Sequence, residues 1–383
     1  MKPVLIVSGD FVKTGGMDRA NYALASYLAE QGREVHLAAY RAGDDLLARP
    51  NVTLHRAPKP LGSYFVAQPF LDHTGRREAR KIAARGGDVV VNGGNCQWGD
   101  VNWLHHLNVL DRPARVGSPL RRLKRTLNYR LAVTTDRTAL RRARLTITTC
   151  ERNKRDLVEW LALPPGRIAV VYLGTDPTLF YPASPDERTA TRTALDLPLD
   201  RPVLAFVGAL GEDRRKGFDT LFEAWKQLCR DTSWDADLVV VGRGGEEPAW
   251  QARAAESGLA SRIRFLGFRR DLPALFRACD AHVLPSRYEG YSLSTQEALC
   301  CGLPAFVTDT AGIAERYPSA LHPLLIPDPN DAPDLAARLL AWRADTPRFA
   351  PAVATLSAQL RAHTWDRMAE EFASLMADTP LSP

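Results

Sequence analysis

Short runs of β-branched and aliphatic residues alternate with helix-period stretches along this chain, and the alternation occurs twice. The first series opens with "PVLIVS" (3–8) and the amphipathic "MDRANYALASYLAEQG" (17–32). It continues through "EVHLAAY" (34–40), "VTLHR" (52–56), "DVVVN" (88–92), "VNWLHH" (101–106), "LTITT" (145–149) and "IAVVYL" (168–173). Apolar runs this short and continuous suit strands buried on both faces, which parallel sheets with crossover helices provide. Gly32 supplies the stop for the first helix. The proline-rich stretch 177–202 breaks the alternation and reads as a linker. A second series then runs through "VLAFVG" (203–208), "ADLVVVG" (236–242), "IRFLG" (263–267), "AHVLP" (281–285) and "PAFVT" (304–308). Helices are expected between them near 216–230, 248–257 and 271–278, and from about 294.

The pattern predicts two consecutive doubly wound α/β domains, 1–177 and 178–363, with a helix over about 364–383 that packs back on the first. A chain of 383 residues is long enough for two cores. Ligands of such sheets bind beyond the carboxyl ends of the strands, and the cleft between the domains is the expected place.

Composition removes several classes. No apolar run is long enough to cross a bilayer, and no secretory leader is visible, so a cytoplasmic protein is expected. Six cysteines show no Cys-x-x-Cys pair and no Cys/His metal spacing, which reads as reduced thiols. Charge divides unevenly: residues 1–181 carry 28 Lys+Arg against 16 Asp+Glu, a net of +12, whereas the remainder has 22 against 28. Eleven basic residues and one acidic residue lie in 112–145. That segment reads either as a solvated basic helix or as a surface for anionic lipid or an acidic acceptor, with the protein peripheral at the inner face of a membrane. No aromatic-interleaved or recognition-helix pattern accompanies it, so nucleic acid is not expected as a partner.

Three loops carry candidate chemistry. After the first strand comes "SGDFVKTGGMDRAN" (8–21), which lacks the dinucleotide fingerprint but opens a helix on Gly15-Gly16. Glycine there is either a plain tight turn or a place where amides approach an anion at a helix N-terminus. The second domain repeats the theme in "VGALGEDRRKGFDTLFEAW" (207–225), with Arg214, Arg215 and Lys216 entering a helix. Cations are unfavourable at the positive end of a helix dipole, so three of them suggest an anion that reverses the sign. The third loop is "SRYEGYSLSTQEALCCGLPAF" (286–306). Ser294 and Glu297 fit a capping box there, with Ser294 as N-cap. A cap leaves Glu289 unexplained. Two carboxylates suit the hydroxyls of a ribose and a hexose, and helix amides suit the phosphates between them.

These features together resemble the retaining glycosyltransferases of family 4, which have the GT-B fold. Their signature is a Glu-x7-Glu element in a "PSxxEGFGLxxLEAxAxGxPVVxT"-like run, matched without gaps by "PSRYEGYSLSTQEALCCGLPAFVTD" (285–309). The stretches 14–35 and 151–182 are similar to the family's first loop and helix and to its approach to the interdomain linker. The resemblance implies a site residue by residue. Glu297 binds the ribose hydroxyls and Glu289 lies near the transferred sugar. The amides of Tyr291, Ser292 and Leu293 face sugar and diphosphate, and Arg215 and Lys216 neutralise the diphosphate. Gly16 is an amide donor across the cleft, and His105, ending a first-domain strand, lies near sugar and acceptor. Phe268 sits where backbone meets the nucleobase.

Departures are visible too. Ala209 stands where many members have arginine, Ser292 where glycine is familiar, and Leu173 where asparagine is usual. The implied reaction moves a hexose from a nucleotide sugar, UDP-hexose on family frequency, to a saccharide or lipid-linked acceptor in bacterial surface-polysaccharide or lipopolysaccharide synthesis. No cofactor beyond this co-substrate is expected. No Asp-x-Asp ends a strand, Asp44-Asp45 and "DPND" (328–331) falling in polar loops, so no metal is expected either. A nucleotide-sugar epimerase of the same fold and a non-catalytic nucleotide-sugar-binding protein are the alternative readings, and the missing glycine fingerprint disfavours a dehydrogenase.

Overall fold

The computed structural model describes residues 2–112 and 118–378, so residues 113–117 of the basic segment and 379–383 of the expected last helix lie outside the described residues. The chain divides into two compact units, Met1–Gly174 with His363–Pro383, and Thr175–Ala362.

Unit 1 begins with β1 (Val4–Val7), β2 (Asp10–Phe11), α1 (Gly16–Glu30), β3 (Val35–Ala39), β4 (Arg41–Ala42), α2 (Asp44–Leu47) and β5 (Val52–Arg56). It continues with α3 (Tyr64–Ala84), β6 (Asp88–Val91), β7 (Val101–Leu104), α4 (Pro119–Arg142), β8 (Leu145–Thr148), α5 (Glu151–Leu161) and β9 (Ile168–Val170). Seven of these strands form one sheet in the order β5-β3-β1-β6-β7-β8-β9, every pair parallel. Ile6 sits in register between Leu37 and Val90, and all of β1 is buried, as a central strand with helices on both faces must be. The separate β2–β4 pair lies where β1 and β3 exit. Gly32, at φ 76°, ends α1 as expected. Asp44 and Asp45 are not in an open loop: they start α2, and Asp45 accepts hydrogen bonds from Tyr22 and Lys13.

Unit 2 opens with α6 (Pro185–Ala194), which corrects the linker reading of 177–202. The start signals are all present: the Ser184 hydroxyl accepts from the Glu187 N–H at 3.2 Å, Pro185 occupies the first turn, and Asp186 and Glu187 meet the positive dipole end. Arg192 of α6 is buried and pairs with Asp280. Next come β10 (Val203–Val207), α7 (Phe218–Leu228), β11 (Asp237–Val241), α8 (Glu247–Glu256), β12 (Ile263–Gly267), α9 (Leu272–Ala278) and β13 (Ala281–Leu284). The unit is completed by α10 (Leu293–Cys300), β14 (Ala305–Thr308), β15 (Leu325–Ile326), α11 (Ala332–Ala344) and α12 (Ala350–Ala362). Its sheet order is β12-β11-β10-β13-β14-β15, again all parallel.

The last helix, α13 (Trp365–Asp378), belongs to unit 1 and packs on α1. Its Phe372 ring lies 4.7 Å from that of Trp103 on β7, and Arg144 donates to the Met376 carbonyl at 3.2 Å. Gly174 is required where the chain passes this helix, since a Cβ there would stand 2.6 Å from the Thr364 carbonyl oxygen. Both sheets reverse their winding, between β1 and β6 in one and between β10 and β13 in the other. Those reversals are where doubly wound sheets leave room for a ligand.

Candidate functional site

In unit 2 the loops leaving β10 and β13 carry the candidate residues. Here backbone packs directly on backbone. A Cβ on Gly217 would lie 1.8 Å from the Pro285 carbonyl oxygen, and one on Gly242 would lie 1.9 Å from that of Gly208. The Gly208 N–H donates to Val241 and the Gly242 N–H to Gly267, each at 2.9 Å. The exits of β10, β11 and β12 are therefore built of glycine backbone, which only a residue without a side chain permits.

Across this floor the Lys216 ammonium is ion-paired with the Glu289 carboxylate, the two side chains being 20 % and 17 % exposed. Arg287 fixes the geometry. Its backbone N–H donates to the Arg215 carbonyl at 2.8 Å, and its guanidinium donates to the Arg214 carbonyl at 2.5 Å. The same guanidinium grips Asp219 of α7 through two bonds, at 2.8 and 2.9 Å, and reaches Asn330 at 2.8 Å. A planar fork satisfied on this many sides holds the loop after β10 against the loop after β13. The sequence reading did not single out Arg287 or Asp219. The available signal was an arginine two residues before Glu289 and an acid in the first turn of α7.

The three cations entering α7 do not act alike. Arg214, at φ 53°, faces Glu246, with Nη2 3.4 Å from Oε1, and lies 5.9 Å from the Trp250 ring centroid. It is a structural cation, and acidic neighbours at Arg214 and Lys216 supply part of the negative charge that the sequence reading assigned to a missing anion. Arg215 is partly buried in the same turn, its N–H held by the Asp213 carboxylate at 3.2 Å.

The capping box is overturned. α10 begins at Leu293 with Ser292 as its N-cap, so Ser294 and Glu297 are both inside the helix. Ser292 sits in the left-handed region, φ 82° and ψ 79°, and its hydroxyl lies 2.8 Å from the Thr295 hydroxyl instead of capping an amide. Ser294 donates its hydroxyl toward the Val207 carbonyl at the end of β10, at 3.5 Å. With no side chain capping it, this N-terminus presents amides and a positive dipole end on the Lys216 side of the sheet. Tyr291 is 3 % exposed and donates its hydroxyl to Gln296 at 2.7 Å, which sets the entry of the turn. Glu297 is buried on α10 at 6 % exposure, and Phe268, at the exit of β12, is 56 % exposed.

Gly16 and His105 belong to unit 1. Gly16 is the first residue of α1, preceded by Gly15 at φ 83°, and no side chain caps this end. Beside it a buried network joins the exits of β1 and β6. The Ser8 hydroxyl donates to the Asn92 carbonyl oxygen at 2.9 Å, and the Asn21 amide donates to the same oxygen at 2.5 Å and to Ser8 at 3.1 Å. Burial, then the nearby Asp10 carboxylate, push the Asp18 carboxyl in the first turn of α1 up to about 6. His105 follows β7, its ring 4.4 Å from that of Trp103. Both ring nitrogens are buried and find no hydrogen-bond partner among the described residues, and this burial lowers the imidazole to about 3, so it is neutral. Among the described residues no group of three or more His, Cys, Asp or Glu could hold a metal ion, and no helix is long and apolar enough to cross a membrane.

The model of "Glycosyltransferase Family 4" matches residues 14–179, and that of "Glycosyl transferases group 1" matches residues 201–345. A D-inositol 3-phosphate glycosyltransferase of Streptosporangium roseum is 31% identical over 239 residues, which is 58% of this chain and 53% of that protein. The lipopolysaccharide core biosynthesis mannosyltransferase LpsB of Rhizobium meliloti is 34% identical over 194 residues, 48% of this chain and 53% of that one. The chain spans about half the length of the curated relatives it matches. Among solved structures, WaaG, a glycosyltransferase involved in lipopolysaccharide biosynthesis, superposes with a TM-score of 0.79 at 20% identity, over 98% of this chain and 100% of that one. Sucrose-phosphate synthase from Thermosynechococcus elongatus gives 0.77 at 22%, over 98% of both chains. Anabaena Alr3699/HepE, solved with UDP and glucose, gives 0.71 at 18%, over 99% and 100%.

These superpositions place the two doubly wound domains in the GT-B class of folds. With the two family models matching most of the sequence between them, the chain belongs to glycosyltransferase family 4.

Proposed function

We propose that this protein is a retaining glycosyltransferase that moves a hexose from UDP-hexose to a saccharide or lipid-linked acceptor in bacterial surface-polysaccharide or lipopolysaccharide synthesis. The observation that carries the reading is the Lys216–Glu289 pair beside the uncapped start of α10, at the strand exits where unit 2 reverses its winding. A diphosphate suits the α10 amides, Lys216 and Arg215, which together stabilise the charge that grows on the leaving group. Tyr291, Ser292 and Leu293 supply those amides, Glu297 accepts from the ribose hydroxyls, and the glycine-lined exit before Phe268 receives the base. Glu289 accepts from a sugar hydroxyl and, while the site is empty, neutralises Lys216.

From unit 1 we assign Gly16 as a further amide donor and His105 as a neutral imidazole for a sugar or acceptor hydroxyl. In the reaction the bond from the anomeric carbon to the diphosphate oxygen breaks and a bond to the acceptor oxygen forms on the same face. The acceptor proton passes to the leaving phosphate, releasing UDP. The charge of Arg215 and Lys216 serves in place of a metal, so a chelator is expected to leave the rate unchanged. The names of the relatives, the UDP and glucose of the Anabaena structure, and the carboxylate pair support this reading.

The test is a panel of UDP- and GDP-hexoses incubated with candidate saccharide acceptors, with free nucleotide measured. Acceptor-dependent UDP release with retained configuration is expected. An epimerised donor formed without acceptor would point to the epimerase reading, and binding without turnover over every acceptor would point to a non-catalytic protein.

A further inference from the structure

Where β11 and β12 leave the sheet of unit 2, an arginine and a glutamate flank the backbone that leads to Phe268. The turn after β11 is pinned by backbone on both sides of Arg243. Gly242 is seated against the Gly208 carbonyl, and a Cβ on Gly244 would lie 2.1 Å from the Leu210 carbonyl oxygen. Between them the Arg243 carbonyl accepts from the Leu210 N–H at 3.2 Å, and the Glu246 N–H donates to the Leu210 carbonyl at 3.1 Å. The direction in which the Arg243 side chain leaves the turn is thereby fixed. Its guanidinium lies over Gly267. A Cβ on Gly267 would stand 3.5 Å from Arg243 Nε, 3.8 Å from its Nη2 and 4.0 Å from Glu247 Oε1. With Gly267 at φ 61°, this exit offers bare backbone beside both charged groups. Neighbouring charges are taken up in ion pairs: Glu246 with Arg214, Arg264 with Asp196, and Arg269 with Asp271. Among the described residues, no such partner or hydrogen bond engages the side chain of Arg243 or Glu247. A place in the first turn of α8 accounts for the acid, through the helix dipole, and leaves the arginine beside it unexplained.

We infer that Arg243 and Glu247 select uracil as the base of the nucleotide. The inference rests on the proposed function, which brings a nucleotide base to this strand exit. A guanidinium only donates hydrogen bonds, and a carboxylate only accepts them. The pairing edge of uracil carries a ring N–H between two carbonyls. A guanidinium beside a carboxylate therefore meets it in either order. Guanine has a carbonyl at one end of its edge and an amino group at the other. Cytosine and adenine set an amino group next to a bare ring nitrogen. Each of these three edges suits the pair in one order only, and the reverse order leaves N–H facing N–H or lone pair facing lone pair. A polar group facing its own kind loses its hydrogen bond without regaining water, which is how such sites reject close analogues.

The test is calorimetric titration of the full chain with UDP, GDP, ADP and CDP, for wild type, Arg243→Ala and Glu247→Ala. Wild type is expected to bind UDP at least about tenfold more tightly than any of the other three. Each variant is expected to lose about tenfold in UDP affinity and to bring UDP level with CDP, which shares its ring size, ribose and phosphates. A general loss of charge or of fold would weaken all four nucleotides alike, so the ratio of UDP to CDP affinity is the readout. Both variants are expected to keep the wild-type melting temperature, because neither side chain supports another described residue. Equal affinity for UDP and CDP in wild type, tighter binding of GDP, ADP or CDP than of UDP, or folded variants that keep the wild-type ratio would overturn the inference and leave the nucleotide site standing. No binding of any nucleotide would overturn both.

Discussion

Lys216 and Glu289 neutralise each other across the exits of β10 and β13. Removing either leaves its partner partly buried without an opposite charge, so each single variant tests both charge balance and donor chemistry. Lys216→Ala and Glu289→Ala are expected to lower acceptor-dependent turnover by about 10²-fold or more, the scale of a lost transition-state contact. Both are expected to keep a wild-type circular dichroism spectrum. Two further residues give pH signatures of opposite sign. Asp18 has a carboxyl raised to about 6, so the folded state binds the extra proton and stability falls as pH rises from about 4 to about 6. Asp18→Asn is therefore expected to raise the melting temperature at pH 8 relative to wild type and to lose that advantage at pH 4. His105 is lowered to about 3, so the unfolded chain binds the proton first and stability falls as pH drops below about 6.5. His105→Phe is expected to flatten melting temperature against pH between 7 and 5. Buried His282 and half-buried His55, both lowered chiefly by burial, retain part of that slope. Glu289, Glu297 and the Arg-Arg-Lys run were legible because they lie in short linear patterns. Arg287 was not, because its role exists only once the loops after β10 and β13 meet.

At the scale of elements, strand alternation exposed both sheets in the sequence because parallel strands must be apolar on both faces. Several elements resisted, two of them for a reason visible in their residues. In α6, the prolines drew attention away from the Ser184-Pro-Asp-Glu start signal that the same residues spell. α3 carries charges around much of its surface and Pro69 inside, so no clean periodicity marks it. The start of α10 was misassigned by two residues, because a left-handed serine is a rare N-cap that no residue preference announces. That geometry makes a prediction. Ser292→Gly relieves the positive φ and is expected to stabilise unit 2 by about 1 kcal/mol in chemical denaturation. Gly217→Ala adds a Cβ 1.8 Å from the Pro285 oxygen at φ 70°, and is expected to destabilise it by about 3 kcal/mol.

The whole chain leaves unit 1 at Gly174 and returns to it at His363. Its last helix thus closes the first fold, with Phe372 on Trp103 and Trp103 beside His105. Phe372→Ala should cost about 3–5 kcal/mol in unit 1 and let water reach the His105 ring, raising its proton affinity toward the ordinary imidazole range. An NMR titration of the His105 ring carbons in that variant reads this directly. The proposed function requires unit 2 to bind a nucleotide sugar through Lys216. Melting temperature measured against a series of UDP- and GDP-hexoses, for wild type and Lys216→Ala, addresses it most directly. A concentration-dependent rise with a UDP-hexose is expected, by mass action, and Lys216→Ala is expected to abolish it. No rise with any nucleotide sugar, or the same rise in both proteins, would contradict it.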